Sequence, residues 1–207
     1  MKVKSLDIQR INITLVFEEL DRDFISRDFI RNILTNKPII HELPDVLLIV
    51  YPDIHAQAVI EGKRISLNIQ YKNEIASNIY QTLSILACGF KDAVTKGNLI
   101  AYGYNYDGIG EIEEDMGSVS LMFKEKFLKE QKQLEDYFGG EIFLMSPKFS
   151  LRNRECEIHV EFQPISESSF SYHLNVHFNT TQLPNFQAIS DIGISKFEFF
   201  KGFVARM

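Results

Sequence analysis

Three of the five histidines fall in the stretch 159–177, each inside an alternating run of apolar and polar residues. Glu155–Gln163 and Phe170–Asn179 read as two strands of a hairpin, joined by the turn-rich stretch Pro164–Ser169. Side chains on a strand alternate between its faces. Cys156, Ile158, Val160 and Phe162 then share one face with Phe170, Tyr172, Leu174, Val176 and Phe178. Glu157, His159, Glu161, His173, Asn175 and His177 share the other. Imidazoles and carboxylates on one surface could hold a metal or move a proton. Keeping the apolar sets together requires paired residue numbers with an even sum. A sum of 332 sets His159 opposite His173, and 334 sets Glu157 opposite His177. His173 and His177 are four residues apart, about 13 Å along a strand, too far to share one ion. A zinc site therefore rests on His159 and His173 with help from Glu157 or Glu161, and such a site needs three or four ligands. A metal-assisted hydrolase is the chemistry that set would serve. The plainer alternative is a polar sheet face that meets solvent or another subunit.

An earlier hairpin repeats the arrangement without the acids. Gly62-Lys63 as a two-residue turn pairs Glu61 with Arg64, and then Ile60 with Ile65, Ala58 with Leu67 and Ala56 with Ile69. Its polar face carries His55, Gln57, Ser66, Asn68 and Gln70. Amides and imidazoles donate and accept hydrogen bonds at a smaller desolvation cost than full charges. Gln57, Asn68, Gln70, Asn175 and His177 are accordingly the candidate interface or ligand residues. Self-association through one of these faces is the first expectation, and a homo-oligomer or protein partner follows from it. A third class, a chaperone-like or ligand-carrying groove between sheet and helices, calls for an apolar cavity near Phe90, Tyr102 and Phe197.

Other chemistries find less support. Asn105, Asp107, Gly108 and Glu114 match positions three, five, six and twelve of a calcium loop, but position one is Gly103, which has no side-chain oxygen. Tyr102, Tyr104 and Tyr106 share a strand face, yet a base-stacking platform needs a positive groove and the neighbouring stretch is acidic. Cross-strand packing explains these tyrosines better. No G-x-S-x-G elbow or phosphate-binding glycine motif is present. Cys156 and His177 fall on opposite faces, and Cys88 reads as a small core residue. His41 and His55 stand near Glu42 and Asp53 with no pocket to give them an acid-base role. No catalytic residue and no cofactor is assigned.

The elements that position these residues follow from periodicity. Leu6–Phe17 alternates with a slip at Gln9-Arg10, which suggests a bulged strand. Asp21–Asn36 has helical spacing and Pro38 closes it. Val46–Val50 is continuously apolar, as in a strand covered on both faces. Asn73 can cap a helix carrying Ile79, Leu83, Leu86 and Phe90, with Gly97 as its stop, and Leu99–Tyr106 returns as a strand. After an acid- and glycine-rich loop, Asp107–Gly117, Ser118 or Ser120 caps a helix running to Phe138. Ile142–Leu151 adds a strand, and Asn185 caps a last helix with Phe186, Ile189, Gly193, Phe197, Phe200 and Val204 on one stripe.

Largely antiparallel sheet covered by amphipathic helices on one side is the expected architecture, an α+β fold. Each half holds a hairpin followed by a long helix, so residues 1–107 and 108–207 are expected to be two similar units packed as one body. Leu67-Asn68-Ile69 and Leu174-Asn175-Val176 support the repeat, as do Gly89-Phe90 and Gly202-Phe203, although their offsets differ. The stretches Pro38–Val50, with Ile-Ile-His-Glu-Leu-Pro, and Asn98–Lys129, with Tyr104-Asn105-Tyr106 and Lys126-Phe127-Leu128-Lys129, resemble a group of bacterial cytosolic proteins of unknown function. That resemblance implies a bacterial cytosolic protein and assigns no residue a role.

Composition sets the outer limits. The 207 residues are 45% hydrophobic and include 17 Phe, 8 Tyr and no Trp, enough apolar surface for a substantial core. A net charge of -6 argues against a nucleic-acid module. Two cysteines in unrelated segments suit a reducing compartment. The first residues lack an apolar leader and no stretch is long enough to span a membrane, so a cytoplasmic protein with no membrane partner is expected.

Overall fold

The computed structural model describes residues 3–34, 37–70, 76–113 and 118–207. Alternating apolar residues build nine strands: β1 (Val3–Phe17), β2 (Ile39–Glu42), β3 (Val46–Tyr51), β4 (Ala56–Glu61), β5 (Arg64–Gln70), β6 (Leu99–Ile112), β7 (Lys148–Arg152), β8 (Glu157–Pro164) and β9 (Ser169–Phe178). Helical spacing builds α1 (Arg27–Arg31), α2 (Ala76–Ala93), α3 (Val119–Phe127), α4 (Gln131–Phe138) and α5 (Phe186–Val204). The strands form one antiparallel sheet in the order β2-β3-β4-β5-β1-β6-β9-β8-β7. The fold is α+β. No helix among the described residues is long and apolar enough to cross a membrane.

The two longest strands, β1 and β6, pair at the centre, and a meander returns to each of them from outside: β2 to β5 on one flank, β7 to β9 on the other. A long helix follows each meander, and these two helices, α2 and α5, pack on each other. Isoleucine, leucine and aromatic side chains of one sheet face fill the space beneath, including Ile13, Leu15, Tyr51, Leu67, Tyr104, Tyr106, Phe162 and Phe170. Phe123 of α3 joins that layer against Phe162 and Phe170, and the Tyr51 hydroxyl donates to the Ile30 carbonyl of α1.

Two hydrogen bonds tie α5 to β6. The Tyr104 and Tyr106 hydroxyls donate to the Ile189 and Gly193 carbonyls, both at 2.7 Å. A Cβ at residue 193 would stand 2.9 Å from the Tyr80 ring, so glycine lets helix and tyrosines meet. Burial pushes the Tyr51 and Tyr102 hydroxyls up to about 12, and Tyr104, Tyr106 and Tyr172 higher still.

Several expectations change. Val46–Val50 is covered on one face only: Leu47, Ile49 and Tyr51 are buried, while Val46, Leu48 and Val50 are half-exposed on the face away from the helices. In the described part, residues 21–34, of the helix expected over Asp21–Asn36 the chain forms a 3-10 turn and the five-residue α1, because Asp21 and Ser26 each cap a turn of their own. The helix expected from Ser118 to Phe138 breaks at Leu128, whose backbone is extended, into α3 and α4. Of the strand expected over Ile142–Leu151 only residues 148–151 pair in the sheet, within β7, since the Ile142 and Phe143 carbonyls accept instead from Lys124 Nζ and Ser120 Oγ. Asp107–Ile112, read as the start of an acidic loop, continues β6, and the division between residues 107 and 108 falls inside that strand. The cap at Asn73 and the calcium-loop Glu114 lie outside the described residues.

Candidate functional site

Pairing across the sheet carries one residue from each strand into a single row on the face away from the helices. In strand order the row reads Ile39, Val50, Gln57, Asn68, Asn12, Asn105, Asn175, His159 and Ser150. Its centre is a chain of asparagine side chains bonded in one direction. Asn175 Nδ2 donates to Asn105 Oδ1 at 2.7 Å, Asn105 to Asn12 at 2.7 Å, and Asn12 to Asn68 at 2.9 Å. Thr14 Oγ1 adds a second bond to Asn12 Oδ1, and Asn68 Nδ2 turns toward its own strand's Ser66 carbonyl. At one end Ser150 Oγ and His159 Nδ1 lie 2.7 Å apart. Asn12 is buried and Asn68, Asn105 and Asn175 are half-buried.

The neighbouring rows are charged toward β7 and apolar toward β2. Lys148, Glu161, His173, Asp107, Arg10 and Gln70 follow one another on one side of the amides. Lys148 pairs with Glu161 at 2.9 Å, His173 Nδ1 meets Asp107 Oδ1 at 2.7 Å, and Arg10 closes on Asp107 Oδ2 at 2.8 Å. Burial alone would push the Asp107 carboxyl up, but the hydrogen bonds and charges of His173 and Arg10 outweigh it and hold the group below its ordinary value. On the other side Arg152 pairs with Glu157 at 2.8 Å, and Glu157 stands opposite His177. That row ends in Val59, Leu48 and His41. Across the three rows three cations, Arg10, Lys148 and Arg152, face three carboxylates, Asp107, Glu157 and Glu161, so these rows are neutral in a chain of net charge -6.

The register expected for the first hairpin is found, and of the two open for the second hairpin one is found. Glu61 pairs with Arg64 around the Gly62-Lys63 turn, and Ala56 with Ile69. For β8 and β9 the sum is 334, so Glu161 stands opposite His173 and His159 opposite Asn175. His159 and His173 are therefore not partners. Each of the four residues weighed as metal ligands has its own neighbour: Ser150 for His159, Asp107 for His173, Arg152 for Glu157 and Lys148 for Glu161. Among the described residues no group of three or more His, Cys, Asp and Glu side chains could hold a metal. Asn105, Asp107 and Gly108 lie in β6, and the first two serve the amide and charged rows. Tyr102, Tyr104 and Tyr106 face the core, where Tyr102 stacks on Phe178. Phe90, Tyr102 and Phe197, expected to line an apolar groove, are at most 6% exposed and belong to the packed core.

Gln57, Asn68, Gln70, Asn175 and His177 all lie on this one face, the first four on or beside the amide row. Sequence reading missed Asn12 and Arg10. Asn12 sits between Ile11 and Ile13 in the polar phase of β1, a signal that is visible, but its partners come from strands far away in the chain. Beside Gln57 and Gln70 the face dips into a cavity of about 460 Å³ whose lining includes Arg10, Val50, His55 and Asn68. A smaller one, about 190 Å³, lies beyond Asp107 against Glu161 and His173. No protein-family model matches the chain, and no curated protein matches it.

Proposed function

We propose that this is a binding protein whose open sheet face receives a second copy of the chain. The single observation that supports the reading is the set of three charge-balanced, hydrogen-bonded polar rows on the side of the sheet away from the helices. Its half-buried amides, Asn68, Asn105 and Asn175, are bonded sideways, which leaves each of them an N–H and a lone pair still to offer, while buried Asn12 accepts from two partners and holds the row together. A surface with both functions in equal measure is complementary to itself, as a twofold interface requires. The overall charge of -6 would set two copies against each other, but the contact proposed here is balanced. Half-exposed Leu48, Val50 and Val59 at the β2 end supply apolar area that gains from being covered. The same reading takes the chain as two similar units, each a central strand, a returning meander and a long helix, with Asn12 and Asn68 in one answering Asn105 and Asn175 in the other. A bacterial cytosolic setting belongs to this proposal.

Light scattering over a concentration series tests it. The mass is expected to rise from 23.9 kDa toward twice that value, and Ser66→Lys, which sets a charge beside the amide row, is expected to hold the chain at the lower mass with unchanged circular dichroism. A strict monomer at every concentration overturns the reading.

A further inference from the structure

Around the cavity beside Gln57 three polar side chains, Gln57, Gln70 and His55, have no hydrogen-bond partner among the described residues, unlike Asn68 and Arg10, which share the lining and are bonded on one side. Arg10 spends one edge of its guanidinium on Asp107, through Nε at 2.9 Å and Nη2 at 2.8 Å. The end formed by Nη1 and Nη2 still has N–H groups to give, in the fork that matches a carboxylate. Gln57 and Gln70 are exposed at the rim, and neither side-chain amide is bonded to another described residue. His55 is exposed too, and its backbone is left-handed, φ 50, unique among the described non-glycine residues. It ends the 3-10 turn Pro52–Ile54, a place where glycine would rest without strain and an imidazole does not. Among the described residues no carboxylate side chain lines the cavity, although the protein is acidic. Val50 and Ala56 supply an apolar wall, and about 460 Å³ suits a small molecule.

We propose that this cavity binds a small organic monocarboxylate that also carries an amide. The carboxylate meets the free end of Arg10 and the imidazole of His55, while Gln57 and Gln70 exchange hydrogen bonds with the ligand's amide. One cation already shared with Asp107 suits a single negative charge better than a phosphate's two. Donors and acceptors in the two glutamines suit a group that offers both. The smaller cavity beyond Asp107, with Glu161 on its wall, is acidic and would turn the same ligand away. This site does not depend on association of the chain and is read at a concentration where light scattering gives a single-chain mass.

The test follows the side-chain amide resonances of Gln57 and Gln70 in the 207-residue chain during titration with N-acetylglycine. Its neutral amide, N-acetylglycinamide, and inorganic phosphate are run beside it. N-acetylglycine is expected to shift both resonances saturably, with the neutral probe weaker by about tenfold or more. Arg10→Lys keeps the charge without the fork and is expected to weaken binding about tenfold. His55→Gly is expected to weaken binding while melting no lower than the parent, a combination that a purely structural histidine would not give. No saturable shift with N-acetylglycine, an equal one with its neutral amide, or a stronger one with phosphate overturns the proposal. So does undiminished binding by both Arg10→Lys and His55→Gly.

Discussion

The two faces of the sheet satisfy their polar groups in opposite directions. On the covered face the tyrosines of β6 point away from the sheet and donate into α5, so each of those bonds ties two layers together. On the open face the asparagines of β5, β1, β6 and β9 lie along the sheet and bond their neighbours. Buried side-chain nitrogens and oxygens among the described residues all have partners. The difference is therefore in what is left over. Bonds between layers use up the outward direction, whereas bonds within the layer leave it open to a partner. Stability should accordingly be concentrated on the covered face and recognition on the open one.

The largest break in that comparison comes from Phe162, fully buried among Phe123, Phe170 and Phe200. Phe162→Ala removes the ring from a packed layer and is expected to cost about 3 to 5 kcal/mol, the transfer of the ring plus the cavity it leaves. Denaturant unfolding measures it. A loss near 1 kcal/mol would mean that the layer collapses around the gap and that the covered face is not the seat of stability.

How far the two faces are legible in the sequence follows from range. Within β8 and β9, or β4 and β5, a short turn joins strands whose alternation already separates the faces, so apolar and polar sets sort correctly and Ala56 finds Ile69. Asn68 and Asn175, matched in local text, do occupy corresponding positions, each one strand out from the β1–β6 centre. The Gly-Phe pairs do not: Gly89 lies against Ile33, whereas a Cβ at residue 202 meets nothing nearer than 3.8 Å. What alternation cannot supply is which distant strands pair. Asn12 reaches Asn68 and Asn105 only through β1, which sits between strands more than fifty residues further along. The run Val46–Val50 misleads for the same reason, because its outward valines and leucine sit on a face that local pattern alone assigns to a second layer.

The open face is probed at the middle of its amide chain. Asn12 donates to Asn68 and accepts from both Asn105 and Thr14, and it is 7% exposed. Asn12→Ala leaves those partners to find water at the edge of the face, and a loss of about 1 to 2 kcal/mol is expected. Because Asn105 acts through the same oxygen, the double variant Asn12→Ala/Asn105→Ala should cost less than the sum of the two single losses. Strict additivity would show that the row is a set of independent surface amides and not a coupled layer.

The smallest effect concerns Asp107, where the open face borders its charged end. Hydrogen bonds from His173 and Arg10 hold the folded carboxyl below its ordinary value of 3.8. A group whose folded value is depressed contributes stability that is fully present above the unfolded value and is lost as pH falls through the folded one. The contribution of Asp107 is thus constant above the ordinary carboxylate range and fades only below pH 3.8. Asp107→Asn removes the titration but keeps an oxygen for Arg10, so the gap in unfolding free energy between wild type and variant should be level at neutral pH and narrow in acid. Its side chain is 27% exposed and its cationic partner more so, and solvent screening makes the whole effect smaller than that of Asn12. A gap that stayed level through acid would remove Asp107 as an anchor of the face and leave Arg10 free to turn wholly toward the cavity beside Gln57.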